Sequence, residues 1–195
     1  MLIDDTERTN WTAAGDITGG TPTTGGNLSV AGKGVTVDLS GTKAVTIRHI
    51  QVSSMLRSGV VALPALTNVT QSRFTALRQF EVWACNAETD NCSTSAGFDH
   101  VYTSRDDAFP GDPPRPVAPH MILREFDIPN TKATHLRLVA VTSQCTGGPA
   151  FQGEQDADPT FTTDCDSNVL AGASRSFVRA AEFQAYSEDG SVNRR

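Results

Sequence analysis

Apolar and polar residues alternate along most of this chain, and the period is two. Residues 34–39, GVTVDL, set Val35, Val37 and Leu39 against Thr36 and Asp38, the pattern of a half-buried strand. Residues 44–52, AVTIRHIQV, are rich in β-branched side chains and follow the turn Ser40-Gly41-Thr42-Lys43. In 76–84, ALRQFEVWA, alternation puts Phe80 and Val82 on one face and Glu81 and Trp83 on the other. Further strands are predicted at 98–103, 120–127, 133–142 and 176–186, with a short one near Leu2-Ile3. In 133–142, Leu136 and Leu138 share a face. In 176–186, Val178 and Ala180 do so, and Phe183 joins them only through a bulge.

No run of a dozen residues keeps a 3.6-residue period. The one helix-like stretch, QSRFTALRQFE at 71–81, lies among β-rich neighbours and is taken as strand. About eight strands separated by turn clusters predict an all-β fold, an antiparallel β-sandwich of jelly-roll type with long loops. Residues 15–32 read as a Gly/Thr-rich loop, 104–119 as a proline-rich strap and 143–175 as a longer loop still. A single domain over 1–187 is expected, with 188–195 as a polar tail or linker.

Composition narrows the function. Sixteen Lys and Arg against 22 Asp and Glu give a net charge of −6, with no basic stripe, so a nucleic-acid platform is not expected. No apolar run approaches the roughly 18 residues of a membrane span; the longest, GVVALPAL at 59–66, is broken by Pro64. Cys85, Cys92, Cys145 and Cys165 form two local pairs, and each pair closes a short, polar, turn-rich loop. Pairing 85–92 and 145–165 is therefore predicted, because C-x6-C and C-x19-C lack the spacing of a zinc site. Disulfides imply an extracellular, secreted protein, although no secretory signal opens the chain, so a piece of a longer secreted protein is expected.

Catalytic motifs are missing from the sequence. His49, His100, His120 and His135 form no close pair, and there is no nucleophile elbow and no phosphate loop. The chain is expected not to be an enzyme. The acidic segment 153–168, GEQDADPTFTTDCDSN, could hold calcium through Asp156 and Asp158, or be a solvated loop held by a disulfide. It is no EF-hand, because Val169 stands where glycine is needed and Arg175 where the last glutamate belongs. Sugar rings present C–H faces and hydroxyls, so aromatic side chains with polar neighbours are the candidate ligand residues: Trp83, Tyr102, Phe109 and Phe151, with Phe161 behind them. Arg57, Arg73, Arg105 and Arg115 could meet an anion. Loops 53–72, 104–119 and 146–175 would carry selectivity.

The order of several short motifs resembles the galactose-binding-like superfamily, which includes discoidin domains and many carbohydrate-binding modules. The matching residues are Asp4, Thr9 and Trp11; Val37-Asp38-Leu39; Phe80 and Val82; Leu136-Arg137-Leu138; and Glu182-Phe183. The resemblance spans about residues 2–187 and implies a sandwich whose first and last strands lie together. It implies a structural calcium ion there, held by Asp4, Thr9 and Glu182, with Asp5 in place of the usual glycine. Trp11 is then expected in the core. The segments around AFPGDPPRPVAPH and SQCTGGPAFQGEQDADP are similar to accessory regions of secreted bacterial peptidases of the fungalysin type. The function expected is a non-catalytic, monomeric module that tethers a parent enzyme to a glycan, cell-surface polymer or protein substrate. The alternative is a domain that packs on its parent catalytic domain, with 59–66 as the contact patch.

Overall fold

A computed structural model describes residues 11–14, 16–18, 27–39, 43–54, 75–109, 123–146, 177–187 and 190–191. Twelve strands run in order among them: β1 (Trp11–Ala14), β2 (Asp16–Thr18), β3 (Asn27–Ser29), β4 (Gly34–Asp38), β5 (Val45–Ser53), β6 (Leu77–Cys85), β7 (Asp99–Thr103), β8 (Arg124–Ala133), β9 (His135–Ser143), β10 (Phe177–Ala180), β11 (Glu182–Ser187) and β12 (Gly190–Ser191). A 3-10 turn, Ser95–Gly97, precedes β7. Two four-stranded antiparallel sheets make a sandwich, in the orders β12-β11-β5-β8 and β4-β9-β6-β7. The ladders β1–β10 and β2–β3 complete the set.

The alternation read from the sequence is what fills the core. Phe80 and Val82 of β6 and Leu136 and Leu138 of β9 meet Ile47, Ile50, Val52, Phe183 and Ala185 of the other sheet, and all are buried. Phe80 is the hub of an aromatic cluster. Its ring centroid lies 5.1 Å from Phe126, 6.0 Å from Phe109 and 6.1 Å from Tyr102. Removing that ring would cost about 3–5 kcal/mol. Trp11 is half-buried against the same core, as expected.

Several sequence expectations shift. The strand predicted at 120–127 runs instead from Arg124 to Ala133, through Pro129. Ile47 opposes Thr131 but His49 opposes Asp127, so β8 carries two extra residues there, and Pro129 occupies the bulge, where no ladder N–H is required. The loop expected over 15–32 contains the β2–β3 pair. Gly32, at φ 83°, makes the following turn, and its N–H donates to the Ala140 carbonyl at 2.8 Å. The tail expected from 188 contributes β12, which pairs Ser191 with Tyr186, so the sheet extends beyond the predicted boundary. The short strand near Leu2-Ile3 lies outside the described residues.

Two single residues move the chain between ladders. Ala181 separates β10, paired with β1, from β11, paired with β5; its N–H donates to the Ser53 carbonyl at 2.7 Å. This break lets Val178, Ala180, Phe183 and Ala185 all reach the core, the offset the sequence required. Thr134 separates β8 from β9, which lie in different sheets. It is fully buried, and its hydroxyl accepts from the Ala87 N–H at 2.8 Å and donates to the Cys85 carbonyl at 3.2 Å.

Candidate functional site

Of the three aromatic ligand candidates among the described residues, the structure turns one outward. Phe109 is 1% exposed and packs on Phe80 and Phe126, so it is a core residue and not a ligand platform. It lies in the predicted strap, but a turn after β7, in which the Ala108 N–H donates to the Arg105 carbonyl at 3.2 Å, brings Ala108 and Phe109 back into the sandwich. Tyr102 opposes Val82 and points its ring at Phe80 and Phe126 on the core side. Burial, then the nearby Asp127 carboxylate, raise its phenol pKa above the ordinary value. Phe151 and Phe161 lie outside the described residues. Trp83 is half-buried on the outer face of the β4-β9-β6-β7 sheet, where alternation along β6 puts it.

A bulge completes its surroundings. Val82 opposes Tyr102, yet Trp83 opposes His100, so Val101 is an extra residue in β7. Without it Trp83 would face Val101. With it, the His100 ring meets the indole edge-to-face, centroids 5.3 Å apart at 77°. His100 Nε2 and Thr103 Oγ1 are 2.8 Å apart. The indole Nε1–H donates to Glu81 Oε2 at 2.8 Å, which restrains the ring. On the neighbouring strand, Arg137 lies opposite Trp83.

Arg137 is held from two sides. Its Nη1 donates to Ser95 Oγ at 3.0 Å. Its Nε passes so close to Gly34 that a Cβ there would lie 3.0 Å away, and 2.9 Å from the Leu138 carbonyl oxygen, so the small residue leaves room for the side chain. Ser95 stands three residues beyond Cys92, whose disulfide to Cys85 ties the 86–97 connection back to β6, with Cα atoms 5.7 Å apart. This bond confirms the first predicted pair. Cys145 is disulfide-bonded as well, and its predicted partner Cys165 lies outside the described residues. The face thus joins an aromatic ring to a carboxylate, a guanidinium, an imidazole and hydroxyls. That set can stack on a sugar ring and bond its hydroxyls.

Glu81, His100 and Arg137 were not singled out for ligand contact in the sequence. Alternation placed Glu81 beside Trp83, but a bulge and a strand pairing supply the other two. The predicted calcium donors are mostly beyond reach: Asp4, Asp5, Thr9, Asp156 and Asp158 lie outside the described residues. Glu182 is 2% exposed and stands opposite Ser53. Among the described residues no group of three or more His, Cys, Asp or Glu is placed to hold a metal ion. Arg105, a candidate for anions, grips Asp107 with Nε and Nη2 at 3.0 and 3.1 Å. Arg57, Arg73 and Arg115, most of loops 53–72, 104–119 and 146–175, and the patch 59–66 lie outside the described residues.

Among solved structures the sandwich matches CBM32-3, a module of a family 31 glycoside hydrolase from Clostridium perfringens, with a TM-score of 0.54 at 13% identity over 96% of this chain and 80% of that one. This chain shares the β-sandwich fold of that module. Two further similarities are to CpGH89CBM32-5 from Clostridium perfringens, in complex with GalNAc-β-1,3-galactose (TM-score 0.47, 15% identity, 95% and 81% covered), and to the CBM32 of AlyQ in complex with 4,5-unsaturated mannuronic acid (0.46, 10%, 95% and 82%). Of these three, the first is close enough to define the fold. No family model matches the chain, and no curated protein sequence matches it. No helix among the described residues is long and apolar enough to cross a membrane.

Proposed function

We propose that this chain is a non-catalytic glycan-binding module whose ligand platform is the outer sheet face around Trp83. The observation that carries the reading is the indole itself. It is half-buried on a face of polar side chains, its N–H is held by Glu81, and Arg137 and His100 flank it. The fold shared with a carbohydrate-binding module supports the class of function. A shallow sheet face suits binding without chemistry, because reactive groups are not closed away from water there.

In this reading the module is extracellular and monomeric and tethers a parent enzyme to its glycan. A secreted peptidase is the parent that the cysteine-containing segments suggest. Calcium belongs to the same reading: a carboxylate as buried as Glu182 fits a hard cation that takes oxygen ligands. Melting in calcium against EDTA tests this, and equal melting in both would remove the ion.

The main experiment titrates the full chain with the hits of a glycan array. Trp83→Ala should weaken binding by about tenfold, the size of one aromatic contact, with little change in melting. Trp83→Phe should recover part of the loss. An unchanged affinity in Trp83→Ala would move the site elsewhere. The alternative is that this face packs on a parent catalytic domain, and it would win if no glycan binds and the parent domain does.

A further inference from the structure

Across the outer face of the β4-β9-β6-β7 sheet, register lines up one residue from each strand. Thr36 opposes Arg137, Arg137 opposes Trp83, and Trp83 opposes His100. Thr36 and His100 are exposed, and Arg137 and Trp83 are half-buried. Neighbouring strands lie about 4.8 Å apart, so the arginine side chain starts one strand from the indole. This row holds no carboxylate. Glu81 stands in the next row, with Oε2 taken by the indole N–H, and Asp38 stands opposite His135 in the row on the other side.

The Arg137 guanidinium is only partly engaged. Nη1 donates to the neutral Ser95 hydroxyl, while Nε and Nη2, which share one edge, meet no hydrogen-bond or ion-pair partner among the described residues. Two other arginines show what that edge takes in this fold. Arg78 donates from Nε to the Asp106 carbonyl at 3.1 Å and from Nη2 to Asp106 Oδ1 at 3.0 Å. Arg105 grips the Asp107 carboxylate with the same two atoms. Gly34 has no positive φ that would call for glycine, so its smallness serves the close approach: a larger side chain would press on Arg137 Nε. A sugar laid over Trp83 takes water from this guanidinium too. A neutral sugar leaves the charge uncompensated, and an acidic one answers it.

We propose that the Trp83 platform selects an acidic glycan and that Arg137 reads its carboxylate, an inference that rests on the reading of this face as the glycan site. A uronic acid carries its carboxylate on a ring carbon. With the ring stacked on the indole, that group can lie on the Nε–Nη2 edge one strand away and accept two parallel N–H···O bonds. Glu81 repels a carboxylate on its own side, which leaves the Arg137 side to attract it. The chain's net charge of −6 opposes any polyanion at a distance, but salt screens that field beyond about 8 Å at physiological ionic strength, so the contact decides.

The test titrates the full chain by calorimetry with oligomers of galacturonate, glucuronate and mannuronate, each against its carboxyl-reduced neutral counterpart at matched ionic strength. At least one acid should bind about tenfold tighter than its neutral counterpart, the size of hydrogen bonding to a charged group. Arg137→Gln should abolish that preference with unchanged melting. Arg137→Lys, which keeps the charge without the fork, should show an intermediate preference. Trp83→Ala should weaken the acid and its neutral counterpart together. Equal binding of acids and neutral forms by the native chain, or an intact preference in Arg137→Gln, would overturn the acidic ligand; the platform would stand if Trp83→Ala still weakens binding. Binding that ignores Trp83→Ala would remove the platform itself, and the inference with it. A sulfated glycan held more tightly than every uronate would overturn the carboxylate and give the fork to a sulfate ester. Absence of binding by all the oligouronides would overturn the proposal as well.

Discussion

Thr134 shows how one residue can hold two sheets together. Its hydroxyl answers the Ala87 N–H and the Cys85 carbonyl, its carbonyl accepts from the Leu39 N–H at 2.8 Å, and its N–H donates to the Cys85 carbonyl at 3.0 Å. Thr134→Val keeps the shape but removes the acceptor of the Ala87 N–H and one of two donors to the Cys85 carbonyl. It should cost about 1 kcal/mol in a urea melt, and Thr134→Ser should recover most of it. Equal stability of the valine variant would mean that water replaces the hydroxyl. Nothing in the alternation of 133–142 marks this residue, because its value comes from elements far apart in sequence. Trp83 is the opposite case, since its face was readable from Phe80 and Val82 alone.

Elements set what the residues can do. The 86–97 loop carries Ser95 to Arg137, and the Cys85–Cys92 bond, with a sequence separation of 7, closes a ring that ends three residues before Ser95. A loop that short constrains the unfolded chain by about 2.5 kcal/mol on the entropy model. Replacing both cysteines by alanine should therefore lower stability by about 2 kcal/mol in denaturant melts. It should also weaken glycan binding, because Arg137 loses the fixed position of Ser95. Lower stability with unchanged affinity would detach the loop from the site. Strand existence was legible here, but strand ends were not. The strand expected over 120–127 runs on through Pro129, which sits in a bulge on β8. The bulge at Val101 was equally hidden: DHVYT reads as an even strand, and only its pairing with β6 places His100 beside Trp83.

At the scale of the molecule, packing decides which polar groups end inside. Tyr102 points into the aromatic cluster and has a raised phenol pKa, so the folded state favours its neutral form. The sign follows: its contribution to stability is full below the ordinary tyrosine value of about 10 and fades as pH climbs through the higher folded value. The melting temperature should fall above about pH 10, and Tyr102→Phe should flatten that alkaline limb. A limb as steep in the phenylalanine variant would assign the loss to other groups.

The sequence by itself determined the all-β class, the inward faces of β6 and β9, the need for an offset before Phe183 and the Cys85–Cys92 pair. Each of these is local: a period of two, a β-branched run or two cysteines a few residues apart. The resemblance of its short motifs added the expectation of a galactose-binding-like sandwich. Only the tertiary structure decided that Phe109 is core, that Arg137 and His100 flank Trp83, and that Arg179 is buried. Those facts depend on which strands pair and in what register. Register is fixed by the summed burial of both sheets, and no single segment carries it.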